Sequence, residues 1–230
     1  MDIQEKNDIV ATEAETVPKK TIIFCVSGNT FSEKFLRNWT EIFGYCLMNN
    51  MQPILSNFSG HNSYLLKNGC MLGKTGSGNE QLPFQGKIDY DYVMFMDAKQ
   101  LIPLPHFKAL LEADKDVITC ASSNEYSMEQ MNFIQTVDFS DPSNYEYQKR
   151  EGLEELKKES KLLKVDFIQF GVVLIKKGVF ENIKFPWFYY DEGTQDIKGE
   201  VHFCRKCKEN GIDIFVDLEH MSAIERSVIA

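Results

Sequence analysis

The sequence has no apolar run of the roughly 18 residues that a membrane-crossing helix needs, so a transmembrane segment is not expected. Cysteine is sparse: six residues, at 25, 46, 70, 120, 204 and 207, are too few and too scattered for a disulfide scaffold. Four of them stand among apolar neighbours and read as small core side chains. Positive charge is also short, with 25 Lys and Arg against 34 Asp and Glu and a formal charge of -9. That balance argues against a broad nucleic-acid surface, while leaving room for one local site for a small phosphorylated ligand. The glycines do not fall in the spacing of a phosphate loop or of a dinucleotide fingerprint, and neither Gly-x-Ser-x-Gly nor His-Glu-x-x-His occurs. The first 20 residues lack the apolar centre of a secretion signal and carry five acids and three lysines. Residues 1–19 therefore read as a frayed leader, on a cytoplasmic protein with reduced thiols.

What is present suits one globular domain over 20–222, followed by a tail over 223–230. Hydrophobic residues make up 43% of the chain, and 17 Phe and 9 Tyr promise a well-filled core, a stacking pocket, or both. Strand and helix signals alternate. A β-branched, aromatic run over 21–26 ends at the turn-forming Ser27-Gly28-Asn29. Apolar residues at helical spacing follow (Phe31, Phe35, Leu36, Trp39, Ile42, Phe43), with Asn29 and Ser32 as possible caps. A short strand is expected over 52–55. The connection 56–86 is rich in Gly, Ser and Asn and has room for a helix packing through Tyr64, Leu65 and Leu66. A strand over 93–96 ends abruptly at Asp97, a helix covers 106–111, and the next strand lies at 116–122. Residues 123–166 are less regular. Their EGLEELKKESKLLK segment reads as an exposed helix with a Glu154/Lys158 pair, or equally as a mobile lid. A strand at 166–178 is interrupted by Gly171; a helix over 199–211 and a strand over 212–217 close the pattern. Alternation of this kind predicts an α/β domain with a mixed, mostly parallel central sheet flanked by helices.

Asp97 is the most informative residue. An acid at the end of an apolar strand is either a turn or capping residue, or a metal or ribose contact at the sheet crevice. Asp89, just before that strand, either caps or binds, and Asp91 belongs to the turn. Cys204 and Cys207 form a CxxC with no second ligand pair, so core packing outweighs zinc or redox chemistry. His220 follows an apolar strand beside Asp217 and Glu219 and is a candidate ligand.

Four islands carry a family resemblance: FCVSGNTFSEKFLRNWTEI, LPFQGKIDYDYVMFMDAKQLIPLPHFKALLEADKDVITCA, FGVVLIKKGVFENIKFPWF and GEVHFCRKCKENGIDIFVDLEH. In this order they resemble the small glycosyltransferase-like proteins of GT-A fold (the nucleotide-diphospho-sugar transferase fold) found in large DNA viruses and tailed phages. The resemblance implies a nucleoside diphosphate sugar as donor and a glycan or other hydroxyl compound as acceptor. It would place Val26, Ser27 and Gly28 against the nucleotide, and Tyr64, Lys67 and Asn68 at base, ribose or phosphate, with Lys67 where an arginine is common. Asp97 matches the first acid of the family's Asp-x-Asp, while Lys99 stands in place of the second. Glu200, before Val201, matches the acceptor-side base, and Trp187, Tyr189 and Tyr190 form either an acceptor platform or a packed loop. Two arrangements then compete. Either Asp97 and His220, with Glu200, gather Mn2+ or Mg2+ weakly, or the Lys99 ammonium replaces that charge at the diphosphate. The expected activity is hexose transfer in a host or cell cytoplasm. The alternatives are a degenerate glycosyltransferase-like binding module, motivated by Lys99, and a nucleotidyltransferase.

Overall fold

The computed structural model describes residues 19–60, 63–72, 78–141, 145–189 and 199–225, with only the backbone of Ser63 and Tyr64. The leader up to residue 18, the Tyr64 side chain, Tyr190 and the end of the tail lie outside the described residues.

The chain opens β1 (Lys20–Ser27), α1 (Glu33–Met48), β2 (Met51–Phe58), α2 (Ser63–Cys70). It continues with β3 (Tyr92–Asp97), β4 (Gln100–Leu101), α3 (Leu104–Ala113), β5 (Val117–Ala121) and β6 (Phe133–Ile134). Then come α4 (Leu153–Glu159), β7 (Leu162–Val165), β8 (Phe167–Ile168), β9 (Val172–Lys176) and α5 (Val179–Ile183). The described chain closes with α6 (Gly199–Glu209), β10 (Ile214–Met221) and β11 (Ala223–Ile224). Seven strands form the central sheet in the order β2-β1-β3-β9-β5-β10-β7. β1 runs parallel to β2 and β3, and β5 runs parallel to β10; β9 and β7 run against their neighbours.

The apolar runs explain this sheet. Ile22, Phe24 and Val26 turn one way in β1, towards α1 and α3, while Ile23 and Cys25 turn the other way, towards α6 and the 130s. Both faces are covered, so β1, β3 and β5 read as nearly unbroken apolar segments. Ser32 caps α1, its Oγ accepting from the Phe35 N–H at 3.0 Å, and the helix buries Phe35, Ile42 and Cys46.

Several expectations are corrected. The α2 helix does not pack through Leu65, which is 37% exposed; its buried side chains are Lys67, Asn68 and Cys70, because this helix borders a polar crevice. Residues 123–166 hold more strand than expected. Their LLKV segment is not the end of a helix: the chain turns extended at Ser160 and enters β7, an antiparallel partner of β10. On α4 the pairs run Glu154–Lys157 (2.7 Å) and Glu155–Lys158 (2.6 Å), not Glu154–Lys158. Such exposed pairs contribute about 0.2–0.5 kcal/mol each. The presumed tail contributes β11, which pairs with β4.

Candidate functional site

Parallel strands bring their C-terminal ends to one edge of the sheet, where open α/β folds bind ligands. Here Ser27 and Asp97 are register partners across β1 and β3. Beyond them opens a crevice of about 220 Å³, with Ser27, Lys67, Asp97, Lys99 and Glu200 in its wall.

Asp97 combines both roles considered for it. Its Oδ1 accepts from the Lys99 N–H at 2.8 Å, which tightens the turn after β3, and its side chain still lines the crevice. The neighbouring turn comes close. Gly28 has φ +140°, and a Cβ there would lie 2.6 Å from the Ala98 Cβ, so only glycine fits. Val26 is buried beneath this turn, where its carbonyl accepts from Asn57 Nδ2 at 2.8 Å.

Across the crevice, α2 and α6 are joined by an ion pair between Lys67 Nζ and Glu200 Oε1 at 2.9 Å, with side chains only 9% and 5% exposed. Lys67 Nζ also lies 5.8 Å from the Phe170 ring centroid. The far wall was not foreseen. It consists of Gln100, Glu125, Tyr126, Asn132, Gln169 and Phe170. Gln100 Oε1 accepts from the Ser222 hydroxyl at 3.2 Å, and its amide packs on Gly171, where a Cβ would meet Nε2 at 2.5 Å. Gln169 reaches the Tyr147 hydroxyl through Nε2 at 3.1 Å. A glutamine inside the apolar run around Gly171 was the one available signal for this wall. Of the two aromatic rings in this wall, Phe170 is buried and Tyr126 is 73% exposed.

Other expected site residues are elsewhere. Asp89 sits before β3, at the opposite edge of the sheet from Asp97, where it is hydrogen-bonded to Lys177. That ammonium holds its carboxyl below the usual carboxylate range. Asn68 is committed to the backbone of Phe188, donating to its carbonyl at 2.7 Å and accepting from its N–H at 3.4 Å. It clamps a loop instead of facing a nucleotide. Trp187 is fully buried, so it is core and not an acceptor platform; its Nε1–H donates to the Phe180 carbonyl at 3.0 Å. Tyr189 is exposed and set edge-on to His202, outside the residues that line the crevice.

His220 is likewise not part of the crevice wall. Its Nδ1 lies 2.8 Å from Asp217 Oδ2, and the buried Asp217 also accepts from the N–H groups of Glu219 and His220. His106 donates from Nδ1 to the Met221 carbonyl at 2.9 Å, with its ring 4.9 Å from that of His220. Among the described residues no group of three or more His, Cys, Asp or Glu is placed to hold a metal ion. A magnesium-type cation beside a phosphate is usually held by one or two carboxylates together with substrate oxygens and water. The crevice offers the carboxylates of Asp97 and Glu125, that of Glu200 already paired with Lys67, and the ammonium groups of Lys67 and Lys99. The described residues therefore hold no ready-made divalent-cation site, and two ammonium groups stand among the crevice's acids.

Cys204 and Cys207 are fully buried and unbridged on α6, and burial pushes both thiols well above their ordinary value. Ellman's reagent at pH 8 is expected to leave both unmodified in the folded protein and to find all six thiols after denaturation. Fast native labelling of two vicinal thiols would restore the redox or metal interpretation of the CxxC. No helix among the described residues is long and apolar enough to cross a membrane.

No protein-family model matches the chain, and no curated protein sequence does. Solved structures do. GalNAc-T7 with UDP, GalNAc and Mn2+ superposes with a TM-score of 0.52 at 11% identity, over 91% of this chain and 44% of that one. This chain thus spans less than half of GalNAc-T7. A Drosophila β-1,4-galactosyltransferase 7 mutant, in complex with manganese, UDP-Gal and xylobiose, reaches 0.47 at 11% identity, over 91% and 72% of the two chains. The inositol-1-phosphate CTP transferase of T. maritima reaches 0.40 at 12%, over 91% and 90%. The two lower scores carry no argument, and the likeness bears on the fold alone, not on viral or phage origin. The chain has the mixed, mostly parallel α/β architecture of the GT-A-like nucleotide-sugar transferase fold.

Proposed function

We propose that the protein transfers a hexose from a nucleoside diphosphate sugar to a hydroxyl group of a glycan or smaller acceptor. The observation that carries this is one crevice, at the strand ends of a GT-A-like sheet, that collects Asp97, Lys99 and the Lys67–Glu200 pair. Ser27 and the close-set Gly28 turn let a nucleotide approach the backbone, and Asp97 is suited to a ribose hydroxyl. Lys99 and Lys67 supply charge to the diphosphate, which leaves as an anion. Glu200 accepts the acceptor proton, and Tyr126 gives the apolar face of a sugar a ring to rest on. The buried, unbridged thiols support a reducing, cytoplasmic setting.

The engagement of Glu200 by Lys67 favours a second reading, in which the crevice binds a nucleotide sugar without transferring it. A panel of nucleotide sugars, titrated by calorimetry in manganese and in chelator, separates these. The proposal expects at least one donor to bind in chelator and to give a glycosylated product with a hydroxyl acceptor. Binding with neither transfer nor hydrolysis supports the second reading, and absence of binding in both media overturns both.

A further inference from the structure

Lys67 and Glu200 stand in one wall of the crevice, yet the functions assigned to them above exclude each other while they are paired. An ammonium that neutralises a carboxylate is not available to a diphosphate, and a carboxylate so held is a poor base. We propose that the pair is a donor-operated lock: the diphosphate of an incoming nucleotide sugar draws the Lys67 ammonium to itself and thereby releases Glu200 to the acceptor hydroxyl. This inference rests on the transfer reading.

Three features support it. The pair joins the ends of two long side chains from separate helices, α2 and α6, 133 residues apart in sequence. The ammonium is held to the carboxylate at Oε1, at 2.9 Å, from a flexible four-carbon stem, and the Phe170 ring beneath it gives it an apolar surface over which to swing. An arginine in this place would grip the carboxylate with two parallel bonds and exchange less readily. Finally, the pair is almost dry. Two charges drawn from water are held by each other, so moving one of them calls for another charge to take its place.

The transfer step then balances. The acceptor oxygen forms the new bond to the anomeric carbon, while the anomeric C–O bond to the diphosphate breaks and its electron pair leaves on the diphosphate. The acceptor proton passes to Glu200 and returns to solvent when the diphosphate departs and Lys67 pairs again. A compulsory order follows: donor first, acceptor second.

The test uses the full chain in chelator, with UDP-glucose, UDP-galactose and GDP-mannose as probes. Nitrogen-15 signals of lysine ammonium groups and carbon-13 signals of glutamate carboxylates are followed by NMR. The bound donor is expected to shift the Lys67 Nζ and Glu200 Cδ signals together, with one shared saturation curve. Glu200→Gln removes the competitor for the ammonium, so it is expected to bind donor about three- to tenfold more tightly while losing transfer. Lys67→Met is expected to weaken donor binding by about tenfold or more. Donor binding that leaves the Glu200 signal unmoved, or a Glu200→Gln variant that folds and binds donor more weakly, overturns the lock and leaves the transfer reading standing. Should Glu200→Gln fail to fold, the paired signals of the unsubstituted chain decide. If none of the probes binds in chelator or in manganese, the transfer reading falls and the lock with it.

Discussion

Trp187→Ala is expected to lower the free energy of unfolding by about 3–5 kcal/mol, the range for removing a large aromatic side chain from a packed core. The indole is fully buried, its N–H is taken by the Phe180 carbonyl, and its ring meets those of Phe180 and Phe185 at centroid distances of 5.8 and 5.1 Å. Phe180 in turn touches Phe95, Phe188 and Phe203, so the cavity would open inside one continuous aromatic cluster beneath the crevice. Urea titration followed by circular dichroism measures the loss. A sugar platform behaves in the opposite way: the unfolding midpoint would stay and the acceptor KM would rise. That pattern would return Trp187 to the binding surface.

For Lys99→Asp the expected change is in donor binding and depends on the metal. Lys99 lines the crevice beside Asp97, where the second acid of an Asp-x-Asp motif would stand. If its ammonium serves the diphosphate, the unsubstituted protein keeps its donor affinity in chelator. Lys99→Asp then loses a charge-assisted contact and adds a repulsion, together about 2–3 kcal/mol or roughly thirty- to 150-fold in Kd. Manganese is expected to restore part of that affinity only in the variant, because the new carboxylate beside Asp97 supplies an additional oxygen ligand. Calorimetry in the two media reads both numbers. Unchanged binding by the variant in both would remove Lys99 from the phosphate site. Strict manganese dependence of the unsubstituted protein would defeat the substitution of lysine for metal.

How far these residues were legible in sequence follows from the range of the interactions that hold them. β1, β3 and β5 are covered on both faces, so their apolar runs announce strands without help from neighbours. Asp97 stands out because a charge ends such a run. Strands β4, β6, β8 and β11 have two residues each and exist only through their partners; no periodicity can show them. The far wall was hidden for the same reason, since the hydrogen bond from Ser222 to Gln100 spans 122 residues. Asn68 was misplaced, and Trp187 stayed open between platform and packed loop, because an aromatic residue after proline, or an amide beside lysine, has the same local appearance whether it faces a ligand or a backbone carbonyl. For His220 the decisive feature is the register shift in β10 between Asp217 and Met221, which no spacing rule anticipates. Even so, five residues that the family resemblance singled out, Ser27, Lys67, Asp97, Lys99 and Glu200, do converge on one crevice.

The insertion of β9 between β3 and β5 bears on how the protein is made. On the emerging chain, β2, β1 and β3 can pair as soon as residue 97 is available, since each has a parallel neighbour already synthesised. β5 has no such neighbour, for its ladders run only to β9 and β10. Until Val172–Lys176 has appeared, an apolar strand must wait with both edges unpaired, the condition in which nascent chains stick to one another. Asp97 inherits the same delay, because its N–H is bonded to the carbonyl of Gly171 at 2.8 Å. A ribosome-bound fragment that stops short of β9 therefore presents a hydrophobic edge for chaperones to cover, and its crevice still lacks Glu200, which arrives only with α6.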